Sequence, residues 1–267
     1  MLKKILRTTL LTVLPFALFA QEVTEEYELR GNEKMGWIIN KDGKKIEGVV
    51  KLMGTDETPW INQAKVKFIA LDEIDHDKKR QKLKTLKADE LTAYAAYDEG
   101  VLREFELIKY KNLRESSTSD KGGIAGKVKL IKNLATSEYM VEVLVQGAIK
   151  VYRLYGLPSS VAFGEKEIRE QEQDIKQIID YPTLLVVKNG GKIEELNSSD
   201  FKKLTEDCSS VRTKMLNNEY PSYNPEKEEK KKSKLGALIK SEVELNAPKV
   251  QRMALEIFPE YNENCGK

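Results

Sequence analysis

The chain has 267 residues, of which 40% are hydrophobic and 33% are charged, a balance typical of a globular protein with a strongly solvated surface. Its 45 basic residues nearly balance its 43 acidic ones, so no electrostatic reason exists to expect nucleic-acid binding. One histidine and two cysteines are too few for the usual catalytic zinc sites.

The first twenty residues have the layout of a secretory signal peptide. Lys3, Lys4 and Arg7 form a basic start, the apolar stretch 10–19 follows, and "ALFA" ends at Ala20. A membrane-spanning helix needs about 20 apolar residues, so the segment is short for one, although an uncleaved anchor helix is the alternative. Cleavage removes three basic residues and no acid, which leaves about one negative charge. We therefore predict a periplasmic, outer-envelope or secreted protein without a transmembrane segment after cleavage.

Residues 21–157 are predicted to form a β-rich domain. A β-hairpin is expected over 34–53, because Asp42-Gly43 separates two apolar runs that contain β-branched residues. Strands are expected over 64–71 and 82–87, and on both sides of a turn at 98–100.

A second hairpin is predicted over residues 139–156, with Gln146-Gly147 at its turn. Short, closely spaced strands without a convincing long helix before residue 158 predict an antiparallel β barrel or sandwich. The fold class is therefore α+β, mainly β.

The glycine-rich segment 119–130, "SDKGGIAGKVKL", has the look of a phosphate-binding loop but lacks its pattern. A P-loop requires G-x-x-x-x-G-K-[ST] between a strand and a helix. Lys121 stands where the first glycine is required, and Val128 stands where a hydroxyl would contact magnesium. We predict a flexible glycine turn and no nucleotide or other cofactor.

The C-terminal region, 158–267, is predicted to be smaller, with a β-hairpin over 183–196 and two helices. Residues 164–180 fit either a solvated helix or a charged loop. One helix is expected after Ser199. Its apolar residues share a single stripe, so Cys208 should face the core: Phe201, Leu204, Cys208, Val211 and Met215.

The second helix is predicted to begin at Asn246, with Pro248 near its first position and Pro259 kinking or ending it. Residues 220–234 form a charged linker, expected to be a solvated connector, with a partner-binding tail as the alternative. Because an exported protein meets an oxidising compartment, a disulfide between Cys208 and Cys265 is favoured over two buried thiols.

Two hairpin motifs carry a resemblance. The pattern G-x-I-x-x-x-x-G-x-x-I-x-G matches Gly36, Ile38, Gly43, Ile46 and Gly48, and V-x-G-x-I-x-L-Y matches Val145, Gly147, Ile149, Val151 and Tyr152 with valine in place of leucine. With these motifs the chain resembles uncharacterised exported β-rich envelope proteins of Bacteroidota. The resemblance implies a periplasmic or outer-envelope location and implies no activity.

The sequence lacks the residue patterns of the common nucleophilic and metal-dependent catalytic sites. His76 lies between Asp75 and Asp77, but a neighbouring acid does not orient a histidine ring toward a nucleophile, so we expect a solvated turn. The acids of 72–77 lack the glycine of a calcium loop, so no metal site is predicted. A carboxylate-pair hydrolase that uses Glu104 and Glu106, or Glu142, remains an alternative.

Five side chains are candidate ligand contacts: Tyr94, Tyr97, Tyr152, Tyr155 and Glu142. The tyrosines also suit a core or barrel rim, and Glu142 is expected on the solvent side of its strand. We predict a non-catalytic envelope module that binds an envelope protein, a peptide or a surface polymer. The alternatives are the hydrolase and a small apolar-ligand carrier, which requires a hollow barrel.

Overall fold

The computed structural model describes residues 27–75, 77–78, 80–110, 137–158, 165–223 and 237–266. The predicted signal peptide, the glycine-rich segment 119–130, His76 and linker residues 224–234 lie outside the described residues.

Ten strands form one antiparallel sheet, so the predicted mainly β, α+β class is confirmed. They are β1 (Glu33–Asn40), β2 (Lys45–Lys51), β3 (Lys65–Ala70), β4 (Lys84–Lys87), β5 (Leu91–Asp98), β6 (Val101–Tyr110), β7 (Ser137–Val145), β8 (Ile149–Leu154), β9 (Thr183–Lys188) and β10 (Glu194–Glu195). Their order is β10-β9-β8-β7-β6-β5-β1-β2-β3-β4. The sheet has two ends and does not close into a barrel.

The predicted hairpins and turns are present. Glu99 and Gly100 turn the chain between β5 and β6 with positive φ, and Asn189 and Gly190 do the same after β9. At Gly147, φ is 132°, and an added Cβ would lie 2.5 Å from the Asn262 side chain. Only glycine therefore fits the β7–β8 turn as it is packed here.

Four α-helices occur in the described residues: α1 (Glu165–Asp180), α2 (Asp200–Leu204), α3 (Ser209–Leu216) and α4 (Ala237–Asn264). The helical alternative for 164–180 is thus the observed one. The predicted boundary at residue 157 falls between β8 and α1, while the sheet continues through β9 beyond it.

The single helix predicted after Ser199 is instead two helices. The hydroxyl of Thr205 donates to the Phe201 carbonyl at 2.7 Å, and Cys208 is extended at the start of α3. Thr205 ends α2, because its amide and its hydroxyl both donate to the Phe201 carbonyl, and α3 starts again after the extended Cys208. The stripe still faces the core, because Phe201, Cys208, Val211 and Met215 are buried.

The start predicted at Asn246 is wrong, since α4 begins at Ala237 and contains both Pro248 and Pro259. A proline inside a helix costs about 3 kcal/mol. Burial of Met253, Ile257 and Phe258 on the sheet offsets that cost, because each such side chain contributes about 1.5–3 kcal/mol.

Two large cores share one face of the sheet. Directly opposite residues of neighbouring strands point to the same face. The row Tyr94–Phe105–Glu142–Arg153–Leu184 crosses five strands in this way. Phe105 belongs to the core of β1–β7, and Leu184 belongs to the core under α2, α3 and α4. Glu142 and Arg153 therefore lie between two apolar cores.

The C-terminal core is tied together covalently and by polar contacts. Cys208 and Cys265 form the predicted disulfide, with Cα atoms 5.7 Å apart. Asn262 of α4 accepts from the Ile149 amide at 2.8 Å and donates to the Gln146 carbonyl at 2.8 Å. The first residues of the predicted linker are also packed: Tyr220 and Tyr223 are buried, so the part of 220–234 that is described is not a solvated connector.

Candidate functional site

The charged cluster between the two cores is the candidate functional site. Glu142 is only 6% exposed, so the prediction that it faces solvent is wrong. It shares its face with buried Met140, one strand repeat away, which places it toward the cores. A buried carboxylate is expensive unless it is paired, and two arginines supply the partners.

Alternating charges form a chain across five strands, β1, β5, β6, β7 and β8. Glu142 Oε1 accepts from Arg103 Nε at 2.9 Å, and Glu142 Oε2 accepts from Arg153 Nη2 at 2.6 Å. Arg103 Nη1 reaches Asp98 Oδ2 at 3.4 Å, and Asp98 Oδ1 lies 2.9 Å from Lys34 Nζ. Three cations face two carboxylates, so the cluster, Lys34–Asp98–Arg103–Glu142–Arg153, carries one net positive charge.

Aromatic rings frame the cluster. The guanidinium of Arg103 lies 5.7 Å from the Phe105 ring centroid, and that of Arg153 lies 5.6 Å from the Tyr155 ring centroid. Tyr94 stacks on Phe105 at a centroid distance of 4.5 Å. Guanidinium groups are weakly hydrated and pack well on aromatic rings. Each arginine therefore contacts a carboxylate through its N–H groups and an aromatic ring through its planar face.

Backbone contacts fix the rings. The Tyr94 hydroxyl donates to the Asn62 carbonyl at 2.7 Å. The Gln63 amide group donates to the Tyr155 carbonyl at 2.9 Å, and its oxygen accepts from the Tyr155 amide at 2.6 Å. The 3-10 turn Pro59–Gln63 thus positions both tyrosines from outside the sheet.

The electrostatics keep the acid ionised. Burial alone raises the pKa of Glu142, but the guanidinium groups of Arg153 and Arg103 outweigh it, so the net pKa is below the ordinary value. Burial raises the pKa of Tyr94 well above its usual range, and the negative charge of Glu142 adds to this effect. Near neutral pH, Glu142 is therefore ionised and Tyr94 keeps its proton.

Of the five predicted contacts, the structure brings together Tyr94, Tyr155 and Glu142. Tyr152 is buried on the opposite face, where its hydroxyl donates to Glu106 Oε2 at 2.8 Å. Tyr97 lies at the end of the β5–β6 hairpin and is 53% exposed.

The opposite face holds the second carboxylate candidate. Glu106 Oε1 accepts from Lys150 Nζ at 2.7 Å, and the Gln146 amide donates to both Glu104 and Glu106, at 3.1 and 3.2 Å. Burial raises the pKa of Glu106, but the bonds from Lys150, Tyr152 and Gln146 give a net decrease. A general acid needs a raised pKa, so Glu106 does not have the electrostatics of that role.

Within the described part of the chain, no group of three or more metal-ligating side chains is close enough to hold an ion. Asp72 and Glu73 of the predicted acidic turn lie in a short 3-10 helix after β3.

Sequence reasoning missed Arg103, Arg153 and Gln63. A signal existed for the arginines, because each interrupts the apolar alternation of its strand, as Glu142 does in β7. Opposite charges at such interruptions indicate a buried ion pair. Which arginine meets which carboxylate can be predicted only when the strand order and register are known. Gln63 had no signal, since it lies in a short irregular segment.

Comparison of the chain with known protein families, with curated proteins and with solved structures found no match. None of the helices in the described residues combines the length and apolar composition that crossing a membrane would require. The disulfide is compatible with an extracellular or periplasmic protein, because such bonds persist in oxidising compartments.

Stability is expected to decrease in acid because of Glu142. Its pKa in the folded state lies below the usual 4.5, so its contribution is complete above pH 4.5 and is lost as the pH falls through the folded pKa. Urea unfolding measured from about pH 7 to about pH 3 should show this loss, and Glu142→Gln should reduce the slope. An unchanged slope in that variant would mean that other carboxylates carry the acid sensitivity.

Proposed function

We propose that this protein is a non-catalytic module of the cell envelope that binds a protein, peptide or surface polymer through the end of the β5–β6 hairpin. The observation that carries the proposal is the exposure of Tyr97 and Leu102 on one face of the hairpin end, with Val101 exposed on the other face. Tyr97 is 53% exposed, Leu102 is 40% exposed and Val101 is 64% exposed. Exposed apolar side chains that lie next to each other on one face are a feature of partner-binding sites.

The geometry of the hairpin end supports a preformed site. Tyr97 stands directly opposite Leu102, so the two side chains share one face. On the other face, Asp98 is bonded to Lys34 and Arg103, which are the outer members of the charged cluster. Ion pairs that hold both strands reduce the ordering cost of binding, which favours a rigid contact surface.

The charges and the sheet favour binding over the two alternatives. The carboxylates Glu106 and Glu142 are held ionised by cations, which does not suit a hydrolase that needs one protonated acid. A carrier needs a hollow barrel, whereas this sheet does not close. The disulfide supports the envelope location that we propose.

The test is capture from envelope extracts by the full-length chain, followed by mass spectrometry. A Tyr97→Ser/Leu102→Ser variant is expected to bind the captured partner about tenfold or more weakly, because aromatic and leucine anchors contribute most at such sites. The matched control is Leu216→Ser/Leu255→Ser, which removes apolar side chains that are 76% and 45% exposed elsewhere.

An equal loss of affinity in the two variants would indicate nonspecific hydrophobic binding and would contradict a site at the hairpin end. Turnover of a glycan or peptide library, without a stable partner, would instead favour the hydrolase.

A further inference from the structure

A lysine patch lies at the β4 end of the sheet. The ten residues of β3 and β4, "KVKFIA" and "KTLK", contain four lysines and no acid. Lys65 stands directly opposite Lys87, and Lys67 stands directly opposite Lys51 of β2. Because Lys65 and Lys67 are two residues apart, both pairs point to the same face.

The arrangement is electrostatically unfavourable for the isolated chain. Like charges directly opposite each other destabilise a sheet. The Cβ atoms of such pairs are about 5 Å apart, and residues i and i+2 of one strand are about 7 Å apart, so four lysine side chains leave the sheet from one small area.

Carboxylates of the chain do little to relieve this repulsion. Among the described residues, no carboxylate oxygen lies within 4.0 Å of Nζ of Lys65, Lys67 or Lys87. Lys51 has only a long contact, 3.9 Å, with Glu33, whose carboxylate also accepts from Tyr27. A bound anion could therefore reduce the repulsion between these lysines.

From this we infer that the face formed by Lys51, Lys65, Lys67 and Lys87 binds an acidic polysaccharide of the polyuronate class. A polyuronate carries one carboxylate on each sugar ring, so successive rings can meet successive lysines. Thr85 stands opposite Lys67 on the same face and is exposed, which places a hydroxyl where a sugar hydroxyl can bond it.

Nucleic acid fits this surface less well. A duplex-binding protein that makes about 6–10 phosphate contacts needs a similar number of cations, whereas this patch supplies four lysines. The inference does not rest on the hairpin end, because Tyr97 and Leu102 lie on different strands from the patch.

The experiment is calorimetric titration of the full-length chain with oligogalacturonate of defined length at low salt, beside neutral dextran. Lys65→Gln/Lys67→Gln/Lys87→Gln is expected to weaken binding about tenfold or more, and Thr85→Val about fivefold, the effect of one hydrogen bond. The control Lys41→Gln/Lys44→Gln/Lys202→Gln makes the same change of charge at exposed sites outside the patch and should stay within about twofold.

Thermal unfolding separates lost binding from lost folding. The patch variant should unfold at the same or a higher temperature than the parent, because the substitution removes repulsion. Equal weakening by the control triple, no binding of oligogalacturonate, or tighter binding of an oligonucleotide or of anionic lipid vesicles would each overturn the inference.

Discussion

A Glu142→Ala variant is expected to lose about 3–5 kcal/mol of unfolding free energy, because the substitution leaves the charges of Arg103 and Arg153 between two apolar cores without their carboxylate. Glu142 receives hydrogen bonds on both oxygens, from Arg103 and from Arg153, and neither arginine has another carboxylate as close. Urea unfolding followed by tryptophan fluorescence measures the loss.

Glu138→Ala is the matched control for this change. Glu138 lies on the same strand and pairs with Lys109 at 3.2 Å, but that lysine is largely exposed. An exposed pair contributes at most about 1 kcal/mol, so the control should change stability little. Similar losses in both variants would mean that the buried network does not stabilise the fold as described.

Removal of the disulfide by Cys208→Ala/Cys265→Ser is expected to destabilise the chain by about 4 kcal/mol. The two cysteines are 57 positions apart, and the bond limits the freedom of that loop in the unfolded chain. It also joins the start of α3 to the end of α4. Denaturant unfolding of the parent and the variant, each with and without reductant, measures the effect.

The variant should not respond to reductant, and the reduced parent should approach it in stability. A loss below about 1 kcal/mol would contradict the expectation. It would show that noncovalent docking of α4, through Asn262 and the core around Ile257 and Phe258, is sufficient.

Local signals predicted the strands and their turns well. Tight turns require backbone angles that few residues other than glycine and asparagine adopt easily. This preference is visible in a window of four residues and predicted the turns at Asp42-Gly43, Glu99-Gly100 and Asn189-Gly190. The apolar stripe around Cys208 was also predicted from local sequence, because its residues recur at spacings of three and four. Helix limits were predicted less well. The passage of α4 through Pro248 depends on burial of its side chains against the sheet, and the break at Thr205 depends on a hydroxyl contact that the apolar stripe does not reveal.

The candidate site was predicted only in part. Tyr94, Tyr155 and Glu142 were singled out, but the arginines that join them come from strands β6 and β8, which a single strand pattern cannot place beside β7. The solvent-facing position expected for Glu142 followed from its neighbours Met140 and Leu144, which make that side of the strand only partly apolar in the sequence. Its burial follows from two cationic partners whose attraction compensates for desolvation.

The amino-acid sequence by itself determined the mainly β class, the hairpins, the buried stripe and the two cysteines, because each depends on residues near one another in the chain. Only the tertiary structure decided that the ten strands form one open sheet, that the charged cluster lies between two cores, and that lysines of β2, β3 and β4 face one another. Those features depend on strand order and register, which bring together residues far apart in the chain, and the energies that select them arise only when the sheet is assembled.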